Sequence, residues 1–581
     1  MNQLPDRHLI APSRFLFVLG AALLLSVGLA ASGCDNPAER SQRGPASDAG
    51  ARGGLFDTVA ENINQLEQYE TGQILKQVCD RLNQWYQQEQ PEIAWQRDPL
   101  LDTLSDELRE QPAVEDLGVV RYQTPDDAWF LQQCVWMRDI STGARADQFE
   151  DLGIARRLFD WTVRNIRLEP DPVSGDTQTN RHRPFETLLF GRGTADERAW
   201  VFTLLARQQG LDVVMLAVAD EDGGNARSWL PALVLDDELY LFDTRLGLAI
   251  PGREPDSVAT LAQVAADPEL LRNLDLENEP YPITADDLKH VVAYVEGSPA
   301  SLSKRMALVE AALVGPYRMK LMSPGSTLAA RVEALPHVAE VKLWPLPFEV
   351  FKWKSELTPQ TAQRAGEELV VYQAVPPLKV GRALQFKGQI DGQEGAKTQY
   401  LNARPPESLL ENYQLPPDLA ERIPPRRWAE VEAAQILWMR EAKQNASYWL
   451  GLIFFEQEDY PNAIDFLDKR TLQSEGKNPW RDAARYNLAR TYEAQGKLDK
   501  AIELYEADGD SPQSHGNRLR ARRLREQMEA AAGETEVSDP EKAADDEASA
   551  PEDKDAEAGD EDPADSPEAD NDANDDADPA K

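Results

Sequence analysis

Cysteine and histidine are scarce in this chain, with three and five in 581 residues. No Cys-x-x-Cys pair occurs. The histidines (His8, His182, His290, His337 and His515) are far apart. The ligand spacing of a metal site is therefore missing, and no metal is expected. Positive charge is also short, with 61 Lys+Arg against 101 Asp+Glu and a net charge of −40. A chain without a broad basic surface is not expected to bind duplex nucleic acid. Gly191-Arg-Gly193 lacks the further glycine and the lysine of a phosphate loop, so no nucleotide cofactor is expected either. A single long apolar run stands out, Phe15 to Ala31 (FLFVLGAALLLSVGLAA), and it is short for a membrane-spanning helix.

The length suits roughly three to four domains. The 41% hydrophobic content is enough for sizeable cores. The charge is unevenly spread. From Glu534 to Lys581 there are 21 acidic residues and 3 lysines, a net of −18. That Asp/Glu/Ala/Pro tail, 532–581, has too little apolar surface to fold and is expected to be disordered. At the other end, Arg7 and Arg14 precede the apolar run, and Ala31-Ser32-Gly33-Cys34 follows it. A basic start, an apolar stretch and small residues form the layout of a secretory signal, 1–33. Residues 34–54 are rich in Gly, Ser, Ala and Arg, which suits a flexible tether. The block ending in Cys34 resembles the lipobox of bacterial lipoproteins, with Ala31 where leucine is usual. The resemblance implies cleavage before Cys34 and acylation of that residue. It places the protein at the cell membrane or outer membrane, facing the periplasm or exterior, with membrane lipid as its first partner. Cys79 and Cys134 lie in helical-looking segments with apolar neighbours. In an exported chain they form either a disulfide or two buried thiols.

Four regions lie between tether and tail. Residues 55–139 are helical, with Leu55, Val59, Ile63 and Leu66 on one face and Leu75, Val78, Leu82 and Trp85 on another. Residues 140–260 alternate helix and strand signals. Helices are expected over 151–167 and 194–208, and strands over 211–218, 230–235 and 239–242, the last two joined by the Asp236-Asp237-Glu238 turn. Residues 261–425 mix helices with strand candidates at Val341–Trp344, Leu369–Tyr372 and Ala383–Ile390. They end in a Pro-rich stretch whose Pro-Pro pairs predict a stiff connector. The sequence leaves open whether this region is a domain or an extension of the one before. Residues 426–531 are all helical. The fold class expected is α+β, with an N-terminal helical layer, a mixed middle region and a C-terminal helical repeat domain.

In the second region three blocks follow in order: LFDWTVRNIRL (158–168), PFETLLFGRGTADERAWVFTLLARQQGLDVVMLAV (184–218) and WLPALVLDDELYLFDTRLG (229–247). Their order resembles the transglutaminase-like superfamily, which implies a papain-like core with a Cys-His-Asp site. The resemblance covers about 110 residues. At the matching positions, however, the nucleophile is Ala195 and the histidine falls at Ser228 or Arg227. Asp243 alone remains, and in that family it orients a histidine that is missing here. No catalytic residue is expected, and these three are vestigial positions. Thr194-x-x-Glu197 reads as a capping box that stabilises the helix start. Arg181, Arg183, Arg192, Arg198 and Arg227 lie near the presumed cleft. They are expected to answer nearby acids such as Asp196, Asp220, Glu221 and Asp222, or else to hold a carboxylate.

In the fourth region, ASYWLGLIFFEQEDYPNAIDFLDKR (446–470) aligns with ARYNLARTYEAQGKLDKAIELYEAD (484–508) at a shift of 38. The pattern is similar to the tetratricopeptide repeat, whose period is 34. Leu450, Gly451, Phe454 and Ala463 match Leu488, Ala489, Tyr492 and Ala501. Small residues at Gly451/Ala489 and Ala463/Ala501 let paired helices approach closely. The four extra residues are assigned to the loop around 474–478. Five arginines in Asn517–Glu529 predict a solvated cap, or a contact with the acidic tail. The whole chain resembles lipoproteins of planctomycete-type bacteria. These readings predict a membrane-anchored, non-catalytic scaffold that binds envelope proteins or peptides through its repeats. The alternative is a peptide or cell-wall amide hydrolase or transferase with a non-standard nucleophile.

Overall fold

A computed structural model describes residues 54–65, 71–123, 125–172, 179–219, 226–254 and 256–537. The signal sequence, Cys34, most of the tether, Asp220–Asp222 and the tail beyond 537 lie outside the described residues.

Short apolar runs build a six-stranded sheet in the order β6-β5-β4-β3-β7-β8. Its strands are β3 (Asp212–Ala219), β4 (Ala226–Leu235), β5 (Glu238–Asp243), β6 (Leu248–Ala249), β7 (Val291–Val295) and β8 (Val338–Leu343); two short strands, β1 (Arg167–Leu168) and β2 (Arg192–Gly193), pair separately. Only the β7–β8 pair of the large sheet is parallel. Asp236 and Asp237 both have positive φ, 50° and 58°, and link β4 to β5 in a two-residue hairpin turn. Short polar side chains tolerate that conformation better than others do. β3 lies mid-sheet and is buried from Val213 to Val218, as a strand covered on both faces must be.

One face of the sheet carries Val214, Leu216, Leu230, Ala232, Leu241 and Val291 into the main core. On the other face Phe242 meets Phe159 and Phe202, with ring centroids 5.2 and 5.4 Å away. Those two rings come from the helices Asp151–Asn165 and Ala195–Gln208. A second core joins the N-terminal helices Gly54–Asn64 and Thr71–Glu89 to Asp126–Ala144 and Lys304–Ala312. Cys79 and Cys134 are buried there as two thiols, not a disulfide, and burial pushes the Cys134 thiol up.

β7 and β8 extend the sheet of the second region, so 261–425 does not form a separate body. Two strand assignments in that stretch are corrected. Leu369–Tyr372 lies in the helix Pro359–Ala374, and Ala383–Ile390 starts inside the helix Pro376–Phe386. The Pro376-Pro377 pair opens the latter helix, because proline's missing N–H costs nothing in a first turn. The Pro-rich stretch is correspondingly built of short helices rather than an extended connector. Gly191 ends the helix Pro184–Phe190 at φ 66°, and a Cβ there would crowd Arg382 and Trp449 at 3.1 and 3.2 Å. Glycine satisfies both the conformation and the close approach.

The C-terminal region is two helical hairpins. The first repeat's opening helix is continuous with the segment before it, Trp428–Glu456. Its partner starts as Tyr460–Ile464 and continues as a π-helix, Asp465–Leu472. The second hairpin is Arg481–Ala494 and Leu498–Glu506. The loop from Gln473 to Trp480 separates the two hairpins, so residues 474–478, to which the sequence assigns the four residues beyond the usual period, lie outside any helix. In the last turn before that loop Thr471 donates to the Phe466 carbonyl at 2.8 Å. Among the described residues no helix is long and apolar enough to cross a membrane.

Candidate functional site

The helix Ala195–Gln208 begins with the expected capping box. Glu197 N donates to Thr194 Oγ1 at 3.2 Å, and Thr194 N donates to Glu197 Oε2 at 3.0 Å. Ala195 is the first helical residue and is buried. Its carbonyl accepts from Thr244 Oγ1 at 2.9 Å. A methyl group at this position offers no nucleophile.

Ser228 reaches the same helix start and hydrogen-bonds Asp196. Burial and the neighbouring Asp171 push Asp196 up to about 6, against the opposing pull of Ser228 and Arg245. Asp243 behaves differently. Phe242 points to the helices, so Asp243, the next residue along the strand, faces the opposite side of the sheet. Its Oδ1 accepts from Arg245 N and Leu246 N, both at 2.8 Å. Its Oδ2 accepts from Tyr281 Oη at 2.7 Å, and Tyr281 in turn accepts from Trp229 Nε1 at 2.8 Å. The carboxylate is therefore engaged at both oxygens beneath a buried tyrosine. Burial raises its pKa in spite of those donors. Ala195, Ser228 and Asp243 do not form a connected catalytic relay.

A histidine does stand at this helix, one that the family comparison by sequence did not supply. His182 is buried between two carboxylates, with Nδ1 3.5 Å from Glu197 Oε2 and Nε2 3.2 Å from Glu368 Oε2. Burial alone would lower its pKa, but the two acids outweigh that and raise it to about 10. A general base must be unprotonated at the working pH, so this imidazolium cannot serve as one near neutrality. Arg192 and Asn180 complete the cluster by donating to Glu368 at 2.6 and 2.7 Å.

Four of the five arginines Arg181, Arg183, Arg192, Arg198 and Arg227 pair with described acids, while Asp220–Asp222 lie outside the described residues. Arg181 faces Glu349, Arg183 faces Asp126, Arg192 faces Glu169 and Glu368, and Arg227 faces Asp287. Arg198 is fully buried and is held by neutral acceptors. It donates to the carbonyls of Ile166, Val163 and Thr244 and to Gln513 Oε1 at 2.8 Å. Without an acid partner, burial lowers its pKa to about 10.

Gln513 comes from the loop that follows the second helical hairpin, and Arg198 therefore joins the sheet-bearing core to the C-terminal helical region. The same seam carries further bonds. The Arg164 carbonyl accepts from Tyr448 Oη at 3.2 Å and from Asn487 Nδ2 at 3.1 Å. Asp160 bridges Arg164 and Arg490 at 2.8 and 2.5 Å. Trp480 stacks on Tyr448 with centroids 4.5 Å apart. A cavity of about 120 Å³ remains between the two parts, with Arg167, Arg198 and Asn487 on its wall.

The repeat positions pack as the spacing requires. Leu450, Ala463, Leu488, Ala489 and Ala501 are buried. A Cβ on Gly451 would come within 2.7 Å of Leu467, which explains the small residue there. Phe454 and Tyr492 are half-buried, and Phe454 packs on Phe466 at 5.3 Å. The chain carries tetratricopeptide repeats: the family model for that repeat matches residues 443–507. No curated protein and no solved structure matches the chain. Tetratricopeptide repeats serve protein–protein interaction. In this chain their inner residues Tyr448, Trp480 and Asn487 are turned toward the chain's own core.

The arginine-rich segment also proves to be a clamp, which corrects the expectation of a solvated cap. It belongs to the helix Ser514–Val537. Arg518 pairs with Glu279, Arg520 with Glu493 at 2.7 Å, and Arg525 with Glu506. Arg522 donates to the carbonyls of Asp275 and Asn273. These partners lie in the sheet-bearing core and in the repeats, so the helix fastens one to the other.

Proposed function

We propose that the chain is a lipid-anchored envelope protein that acts as a non-catalytic interaction scaffold. In this reading a silent transglutaminase-like core and the tetratricopeptide repeats present one rigid surface to other envelope proteins or peptides. The observation that carries it is the state of the three vestigial positions. Ala195 has no reactive group, Ser228 is tied to Asp196, and Asp243 is engaged by Tyr281 and two backbone amides. Together with repeats whose general role is protein binding, that arrangement favours recognition over turnover.

Membrane attachment rests on the lipobox-like Ala31-Ser32-Gly33-Cys34. Acylation at Cys34 supplies more than one chain, which stable anchoring requires. Metabolic labelling with an alkyne fatty acid tests it: the label should appear on the wild type and vanish in Cys34→Ala. An unlabelled wild type overturns the anchor.

The interaction role is tested by photo-crosslinking in intact cells. A photoreactive residue is placed at Leu437, which is 59% exposed on the long helix that opens the repeat region. Reproducible capture of one envelope protein supports the scaffold, and no adduct above background counts against it. Turnover of peptide amides that is lost in Asp243→Ala or Thr194→Ala would instead establish the hydrolase reading.

A further inference from the structure

The described residues line a second and much larger cavity, of about 670 Å³, whose wall includes neither Ala195 nor any residue of the repeats. Its walls come from the N-terminal helical layer, the first turns of Asp126–Ala144, the helix Pro184–Phe190 and the helices between Leu346 and Phe386. This volume lies within the range of sites for small organic ligands. The walls are mainly apolar, with Trp129, Phe130, Phe185 and Phe351 prominent.

Most charged groups on the wall are already answered. Arg305 pairs with Asp127 at 2.9 Å, Arg183 pairs with Asp126 at 3.0 Å, and Lys352 pairs with Glu107. Two polar groups are not. Lys379, in the first turn of Pro376–Phe386, has no acid partner among the described residues, and burial lowers its pKa. Gln111 is 7% exposed and its Nε2 donates to the Phe348 carbonyl at 3.4 Å. Its buried Oε1 has no donor. A desolvated ammonium and an orphaned carbonyl oxygen are each costly unless a partner arrives.

We propose that this cavity binds a carboxylate-bearing amphiphile. Its acyl or aromatic body would lie against Trp129, Phe130 and Phe351, its carboxylate on Lys379, and a hydroxyl or amide donor on Gln111 Oε1. The charge sign follows from Lys379, because an uncharged apolar ligand would cover the half-buried ammonium without supplying a counter-charge. The ligand class follows from pairing one cation and one acceptor with an otherwise apolar wall.

The test uses the purified folded chain and isothermal titration with laurate, kept below its micellar concentration, and with dodecanol as the uncharged match. Laurate is expected to bind at one site at least tenfold more tightly than dodecanol. Lys379→Met should abolish that preference and leave dodecanol binding unchanged. Ala300→Phe, at a wall position, should remove binding of both, and circular-dichroism melts verify that both variants fold. Equal affinity for the two ligands in the wild type overturns the proposal. So does laurate binding that survives both substitutions unchanged, or no binding of laurate at all.

Discussion

Replacing His182 with glutamine tests the charge cluster at the helix start. The imidazolium is 4% exposed at its side chain and faces Glu197 and Glu368. Its pKa stands at about 10 in the folded chain, against an ordinary value of 6.5. Each unit of difference is worth about 1.4 kcal/mol between protonation states. The full gap gives about 5 kcal/mol, and solvent relaxation around a buried triad reduces that to about 3–5 kcal/mol. Because the folded pKa is raised, the contribution is complete below pH 6.5. It declines as pH rises above that value and is gone once pH passes about 10. Glutamine retains a donor and similar bulk. The two carboxylates keep Arg192, Asn180 and the backbone amides of Thr194 and His182. Urea unfolding at a series of pH values is the assay. The wild type should exceed His182→Gln by about 3–5 kcal/mol near pH 6 and by roughly half of that near pH 8, with no difference above about pH 10. Parallel stability curves across this range would refute a histidine held protonated by its neighbours.

Three further outcomes are expected. Gly516→Ala should destabilise the chain by about 1–3 kcal/mol in thermal melts, although alanine is the better helix former by about 1 kcal/mol. The reason is that a Cβ there would clash with the Leu246 carbonyl. Asp160→Asn should cost about 2–4 kcal/mol by chemical denaturation. Burial raises the Asp160 pKa, but Arg490 and Arg164 outweigh it and hold the carboxyl well below the usual range. The wild type should therefore lose this stability as pH falls below the ordinary carboxylate range, and the variant should show a flatter acid response. Ala195→Cys should show no acyl-enzyme burst with peptide p-nitroanilides, because both ring nitrogens of His182 face Glu197 and Glu368 and Asp243 is turned to the other face of the sheet. A burst in that variant would show that the catalytic layout persists.

The hairpin of β4 and β5 was readable because alternation and the Asp236-Asp237 turn point to the same answer. The helix start at Thr194 was readable for the same reason, since a capping box is a local signal. Leu369–Tyr372 was misread because a short apolar run fits a strand or one side of a helix equally well. The Pro-Pro pairs suit a stiff connector by composition, yet Pro376-Pro377 occupies the first turn of a helix, where proline is tolerated. The clamp made by Arg518, Arg520, Arg522 and Arg525 was illegible from spacing. Its partner Glu279 lies more than 200 residues away, and nothing local distinguishes a paired arginine from a solvated one. His182 lies outside the three blocks that carry the family resemblance, and nothing local in the sequence marks its place beside Glu197. Gln111 and Lys379 carry no periodic signal, and their significance comes from a cavity formed by distant segments.

The seam between core and repeats has a consequence for competition. Tyr448, Asn487 and Gln513 already hold the backbone of Arg164 and the guanidinium of Arg198. A tethered segment acts at an effective concentration on the order of millimolar. A free peptide at micromolar concentration and equal intrinsic affinity would lose to it by about a thousandfold. The chain thus keeps its own repeats occupied on that side. A partner must either dock on the outward surface or bind tightly enough to displace the core, and in the second case its arrival would free Arg198 and the helix start at Ala195 at the same time.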